Sequence, residues 1–436
     1  MTAEIAIMNK EAVAMAADSA VTIGEEREEK IFTSANKIFA LSKYHPVGIM
    51  IYGSAEFMGV PWEVLVKIYR NKRGKISFDT LKQHAFDFVK FLTTEKRLFS
   101  EAEQKRYLEE NVHGYFRFIR NKIMEGVKAI ISEKGKARRR EIKELTSKII
   151  REHHDVWKKA DLLPTILKRF PNRIGKKYVA SIDEAKKMVF EKLKITKSLS
   201  KQLTDIAVSL FAKWPAGFHV PNVSGVVVAG FGKTDVFPSL QSFFLHGILD
   251  GQLKYQEDKY REIGSAAHAW VVPFARKEMV HTFMEGVDLS YEIAIENDLF
   301  EIFNRYPEVI INNMVTLDES EKINLKNKLK KISDPMFHQY REKLAKYRRM
   351  NFVQPVTGVV AMLPKDELAA MAESLVNLTL FKLRVSLEAE TVAGPIDVAV
   401  ISKGDGLIWI KRKHYFKPEL NAQFFANYYR EGKNER

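Results

Sequence analysis

The sequence predicts an α+β fold in which helix and sheet layers pack on one another. Strand-like segments cluster at the start, middle and end of the chain, and helix-like segments fill the two intervals between. No strand–helix–strand unit repeats, so clustered strands in packed layers are expected rather than a run of parallel crossovers.

Residues 3–9 alternate and read as a strand, Asn9-Lys10 as a tight turn, and residues 11–17 as a second strand ending at Asp18-Ser19. Residues 37–42 and 47–52 predict two more strands on either side of His45-Pro46. Gly53-Ser54 is expected to open a helix through PWEVLVKIYR. Helical patterns run from about 78 to 160 and from about 183 to 213, with Pro164, Pro171 and Gly175 as breakers between them. The β signal returns at 223–231 and 239–246. Gly264-Ser265 is expected to open a helix containing His268 and His281, and 289–350 reads as charged helix. LPKDELAAMAESLVNLTLFKL is an amphipathic helix whose acidic start suits the helix dipole. Residues 396–402 and 406–411 predict a closing hairpin around Gly404-Asp405-Gly406.

Composition narrows the chemistry. A chain of 436 residues suggests two or three domains, or one domain with long insertions. With no Cys, a disulfide scaffold, an iron–sulfur cluster, a Cys-ligated zinc and a cysteine nucleophile are excluded, and a reducing, cytoplasmic setting is expected. No apolar run of membrane-spanning length occurs, and the start of the chain lacks the basic and apolar regions of a secretory signal. The net charge is +15, and residues 117–177 hold 19 Lys or Arg against 7 Asp or Glu. Such a stretch reads either as a surface for nucleic acid or an acidic partner, or as a solvated face that keeps a helical insertion soluble. The second reading is favoured, because no RNA-binding or zinc-finger motif accompanies the charge and Tyr115, Phe116 and Phe118 sit at helix-core spacing. Gly232-Lys233-Thr234 is no phosphate loop, since Val227 stands where the first glycine is required. Glu152-His153-His154-Asp155 puts neighbouring side chains on different helix faces and suits no single metal ion. Neither a metal nor an organic cofactor is expected.

The position with most chemical promise is Thr2. A small residue after Met1 allows an aminopeptidase to remove the methionine. The chain would then begin with a residue carrying both a hydroxyl and a free α-amine. That amine, with an ordinary pKa of about 8, can take the hydroxyl proton.

The segments after Thr2 resemble those of the proteasome β-subunit family and its bacterial relatives. The matching features are a strand hairpin carrying Ala16-Ala17-Asp18-Ser19, the Asn36-Lys37-Ile38 segment, and the strand ending in Gly53-Ser54-Ala55. Further matches are SGVVVAGFG at 224–232, Ile263-Gly264-Ser265, and VAGPIDVAVISKGDGLIWI at 392–410. The resemblance implies a four-layer αββα N-terminal-nucleophile (Ntn) hydrolase sandwich of two antiparallel sheets, with helical insertions. It implies Thr2 as nucleophile and, through its amine, as base. Lys37 would stabilise the alkoxide, Asp18 would hold Lys37, Gly53 would offer its N–H to the oxyanion, and Ser265 would contact the amine. The family's usual Asp and Ser before the last turn fall on Ala389 and Val392, with Glu388, Glu390 or Thr391 as substitutes.

The resemblance places the Ntn domain within 2–412, in pieces of about 2–130, 216–290 and 356–412. Insertions at 131–215 and 291–355 and a tail at 413–436 complete the chain. The expected activity is a cytoplasmic threonine peptidase or amidase acting on a peptide or amide substrate through an acyl-enzyme. A self-assembling ring, with or without an ATPase partner, is implied by the family alone. The alternative is a catalytically inactive scaffold on the same fold, or a nucleic-acid-associated factor using the basic insertion.

Overall fold

The computed structural model describes residues 2–23, 30–95, 97–215, 223–314, 318–386, 392–423 and 425–426. The chain opens with β1 (Ala3–Asn9), β2 (Ala12–Ala17), β3 (Val21–Ile23), β4 (Lys30–Phe32), β5 (Ile38–Ala40), β6 (Val47–Gly53), β7 (Glu56–Phe57) and β8 (Val60–Pro61). Among the described residues there follow the helices α1 (Trp62–Arg73), α2 (Leu81–Thr94), α3 (Glu101–Lys134), α4 (Arg139–Lys159), α5 (Phe170–Lys177), α6 (Val179–Val189) and α7 (Lys197–Ser209). Then come β9 (Ser224–Gly230), β10 (Ser239–Leu249), β11 (Gln252–Glu262) and β12 (Ala269–Ala275). The helices α8 (Glu278–Glu285), α9 (Leu289–Asn312), α10 (Glu319–Arg348), α11 (Gln354–Val360) and α12 (Lys365–Arg384) precede β13 (Asp397–Ser402) and β14 (Gly406–Lys411).

Two five-stranded antiparallel sheets are built from these strands, in the orders β12-β1-β2-β13-β14 and β11-β10-β9-β6-β5. Contacts divide the chain into two compact units. One holds residues 1–52, 229–239 and 261–436, the other 53–228 and 240–260.

In the first unit, alternation along the strands decides which side chains meet. Ala3, Ile5 and Ile7 of β1, Ala12, Ala14 and Ala16 of β2, and Val398 and Val400 of β13 point to one face. There they pack against Leu368, Ala372, Leu375 and Val376 of α12. The three alanines of β2 let that helix approach closely. Thr2, Glu4, Val13, Met15, Ala17, Asp397 and Ile401 consequently face the other way. β6 covers that second face: a Cβ added to Gly48 would lie 2.6 Å from Met15 Cε and 2.7 Å from Ile401 Cδ1. Only the absence of a side chain lets the two layers meet there. The unit thus stacks helix, sheet and sheet in that order.

The second unit has its own helical core. Phe116, Ile119 and Ile123 of α3, Trp157 of α4, Ile174 of α5, Ile182 of α6 and Leu203 of α7 are buried together with Phe211. Helix ends follow local chemistry: Thr80 and Gln83 form a reciprocal cap on α2, and Ser100 accepts from Glu103 N–H on α3. Phe86 of α2 meets the Phe243 ring of β10 edge-on at 5.3 Å, which lays the helical layer on that strand.

Several expectations need correcting. The segment after Gly264-Ser265 is not one helix: β12 comes first, and α8 begins only at Glu278. Trp270, Val271, Val272 and Phe274 favour a pleated surface, and Pro273 is accommodated because β12 is an edge strand. His268 therefore lies before a strand, and His281 alone is helical, 3.0 Å from Glu292. Between Gly53 and α1 the β7–β8 ribbon intervenes, turning at Met58 and Gly59 in left-handed conformations. Pro171 does not break a helix but starts α5, at the first turn, where its missing N–H has no bond to lose. Among the described residues no helix is long and apolar enough to cross a membrane.

One buried group in the second unit gives a test of this packing. Lys254 of β11 is 2% exposed; its Nζ donates to Leu210 O at 2.7 Å and stands 4.9 Å from the centre of the Trp214 ring. Burial pulls its pKa down to about 7. Between that value and the free-lysine value of 10.5 the unfolded chain binds more protons than the folded one, so stability rises with pH across that window. At about 1.4 kcal/mol per pKa unit the rise is on the order of 4 kcal/mol. Urea unfolding at pH 7 and pH 10 should show this gain in the wild type. Lys254→Met should be the more stable protein at pH 7 and should lack that part of the pH dependence.

Candidate active site

The end of β2 delivers Asp18 to the face of the sheet that carries Thr2. The Asp18 N–H donates to Ala3 O at 3.2 Å, so the last bond of the hairpin sets the aspartate opposite the start of β1. Lys37 precedes β5, and its carbonyl accepts from Ile51 N–H of β6 at 2.9 Å. Its ammonium then reaches both partners. Lys37 Nζ donates to Asp18 Oδ1 at 2.7 Å and to Thr2 Oγ1 at 3.0 Å. All three residues are buried: Thr2 and Lys37 are 5% exposed and Asp18 is inaccessible.

Asp18 is also held by the main chain. Its Oδ1 accepts from Ala3 N–H at 3.0 Å, and its Oδ2 accepts from Ala20 N–H at 3.0 Å and Ala393 N–H at 3.4 Å. One carboxylate therefore gathers β1, the chain after β2, and the turn before β13. Charge-assisted bonds of this kind are short and directional, and they fix the orientation of the carboxylate. Ser19 completes the junction: its N–H donates to Ala393 O at 3.2 Å and its hydroxyl donates to Pro395 O.

Three further charged groups lie on this face, none of them among the residues that the family resemblance points to. Glu4 is two residues from Thr2 on the same side of β1 and is 2% exposed. Neither of its carboxylate oxygens has a hydrogen-bond partner among the described residues. Burial pushes the Glu4 carboxyl well above the usual carboxylate range; Lys37 acts against this and Asp18 adds to it. Asp397 stands two strands away in the same row, through the pairs Glu4–Ala17 and Ala17–Asp397. It forms a buried ion pair with Lys413, whose N–H also donates to Asp397 Oδ1 at 2.8 Å. Burial lowers the Lys413 pKa, and Asp397 partly restores it. A signal for Glu4 and Asp397 does exist in the sequence: each is a lone acid at a position that alternation assigns to a covered strand face.

Ser265 is exposed on the turn before β12, with no hydrogen bond to Thr2, Asp18 or Lys37 among the described residues. Gly53 belongs to the second unit. Its φ is +84°, and a Cβ there would lie 2.3 Å from Val223 O, so its own surroundings demand glycine. Of the positions expected to support the amine, Val392 is a buried apolar residue of the α12-facing core. Glu388, Ala389, Glu390 and Thr391 lie outside the described residues.

Comparison with solved structures finds similarity to Anbu proteins. One is the Anbu (Gly-1) mutant from Hyphomicrobium sp. strain MC1, at 7% identity and a TM-score of 0.26, covering 100% of this chain and 98% of that one. Another is Anbu (ancestral beta-subunit) from Yersinia bercovieri, at 9% identity and a TM-score of 0.25, covering 99% and 98%. No protein-family model and no curated protein sequence matches the chain. The two five-stranded antiparallel sheets and their helices make an α+β architecture.

The basic stretch is built differently from a uniform cationic surface. Along α4, Arg140, Lys143, Lys148 and Arg151 alternate with Glu144, Glu152 and Asp155, and Arg140 Nε pairs with Glu144 at 2.8 Å. His153 is taken up by Tyr115, whose hydroxyl lies 2.9 Å from its Nδ1 and accepts from Trp157 Nε1 at 2.7 Å.

Removing one partner of a buried pair leaves the other charge uncompensated, at about 3–5 kcal/mol. Asp18→Ala should destabilise the protein by that order in chemical unfolding. The double variant Asp18→Ala, Lys37→Met should recover a substantial part of it. Additive losses in this double-mutant cycle would contradict the pairing.

Proposed function

We propose that this protein is a threonine-type Ntn hydrolase, a cytoplasmic peptidase or amidase whose nucleophile is Thr2 after removal of Met1. The observation that carries the reading is the Lys37 ammonium, 3.0 Å from Thr2 Oγ1 and held at 2.7 Å by Asp18. A fixed cation beside a hydroxyl stabilises the alkoxide as it forms. The freed α-amine takes the hydroxyl proton while Oγ1 attacks the carbonyl carbon of a peptide or amide. The tetrahedral oxyanion then collapses, the amine product leaves with a proton, and the acyl group remains on Thr2 as an ester. Water, activated by the same amine, hydrolyses that ester and restores the hydroxyl.

In this proposal the main-chain N–H of Gly53 is the oxyanion donor implied by the family resemblance, and Ser265 remains the resemblance's contact for the amine. The same resemblance supplies the division into a core of about 2–130, 216–290 and 356–412 with insertions at 131–215 and 291–355. A homo-oligomeric ring belongs to the same proposal.

Intact-mass analysis should show a chain lacking Met1. A β-lactone or epoxyketone probe should add one label per chain, located on Thr2 by peptide mapping. Thr2→Ala should abolish labelling, and Lys37→Ala should slow it by roughly a hundredfold or more. Absence of labelling on a folded protein with Thr2 exposed would favour the inactive scaffold instead.

A further inference from the structure

We propose that Glu4 is the acceptor for the α-amine of Thr2, a positioning residue that holds this amine once Met1 has been removed. The inference rests on the reading of Thr2 as the first residue of the mature chain. It starts from a mismatch of charge. On the covered face, Asp18 is matched by Lys37 and Asp397 by Lys413. Glu4 is buried beside them with both oxygens unpartnered among the described residues. An unpaired carboxyl is rarely left in such a place without a reason. While Met1 is attached, the Thr2 nitrogen is an amide and carries no charge. Cleavage of Met1 turns that nitrogen into an amine, which adds one positive charge two residues from Glu4 on the same strand.

Two residues along a strand span about 6.6 Å, a separation that the glutamate side chain can bridge. The charged groups that act most on Glu4 are Lys37 and Asp18, which bond to each other, and neither Glu4 oxygen bonds to them or to the half-buried Arg276 side chain among the described residues. Lys37 comes from the residue before β5, Asp18 from the end of β2, and Asp397 with Lys413 from β13 and the tail. β12 places Phe274 directly opposite Glu4, with the Tyr52 ring of β6 at 5.7 Å from it. Arg276 follows β12, and its main-chain N–H donates to Thr2 O at 3.1 Å.

The chemistry follows from the pairing. When Thr2 Oγ1 bonds to the substrate carbonyl carbon, its proton passes to the α-nitrogen, which becomes an ammonium. The Glu4 carboxylate stabilises that ammonium and keeps it oriented, as a buried aspartate does for a catalytic imidazolium. It supplies a carboxylate where Val392 offers none.

Two measurements that do not read acylation test this. The first follows the titration of the Thr2 amine by NMR on Met1-free protein labelled with ¹⁵N-threonine. In the wild type the amine should titrate at least about one pH unit higher than in Glu4→Gln. Identical titration in the two proteins would overturn the proposal. The second compares the melting temperature of wild-type protein with Met1 retained, by blocking methionine aminopeptidase, and with Met1 removed. Removal should raise it by several degrees at neutral pH, and the rise should vanish in Glu4→Gln. A rise of equal size in both, or none in the wild type, overturns the proposal, and the wild-type comparison decides alone if Glu4→Gln does not fold. A Thr2 amine that responds to Glu4 in a protein that takes no probe would sink the hydrolase and leave the pairing standing. Probe labelling of Thr2 with an amine indifferent to Glu4 would sink the pairing only. If purified methionine aminopeptidase cannot expose Thr2, both fall.

Discussion

The Asp18 carboxylate is the constraint on which the site depends. It is inaccessible to solvent, yet it accepts from one ammonium and three main-chain N–H groups drawn from separate parts of the chain. A buried anion is tolerable only when such donors surround it. Their geometry in turn dictates where Lys37 must stand, and Lys37 has a second hydrogen to give to Thr2. Position is thus passed from the hairpin to the aspartate, from the aspartate to the lysine, and from the lysine to the hydroxyl.

The sheet around this chain of contacts is made of small and branched apolar residues for a reason of space. Alanines along β2 let α12 lie close on one face, while Gly48 of β6 lets a second layer close on the other. Charged side chains on that second face cannot escape to water. Asp18 with Lys37 and Asp397 with Lys413 satisfy one another, whereas neither carboxylate oxygen of Glu4 has a hydrogen-bond partner among the described residues. Buried, unbalanced groups of this sort mark functional positions more often than random ones.

Much of the fold is legible in the sequence because short-range rules govern it. The β1–β2 hairpin, the strands about His45-Pro46, α12 and the closing hairpin follow from alternation, turn residues and amphipathic spacing. The segment 264–285 departs from its expected helix because an apolar run with alanines at both ends suits either a helix or a strand, and edge pairing with β1 decides the matter. Pro171 is no breaker because the effect of a proline depends on whether the helix has already begun.

By itself the sequence determined much of the order of elements and the ingredients of the site: a threonine behind Met1, an aspartate closing a hairpin, and a lysine opening the next strand. Local patterns encode these, since each depends on neighbours in the chain. Only the tertiary structure decided that Lys37 bridges Asp18 and Thr2, that Ser265 stands exposed on its turn, and that Glu4 and Asp397 share a buried row. Those facts depend on register between strands far apart in sequence, where a shift of one residue would turn each side chain to the opposite face.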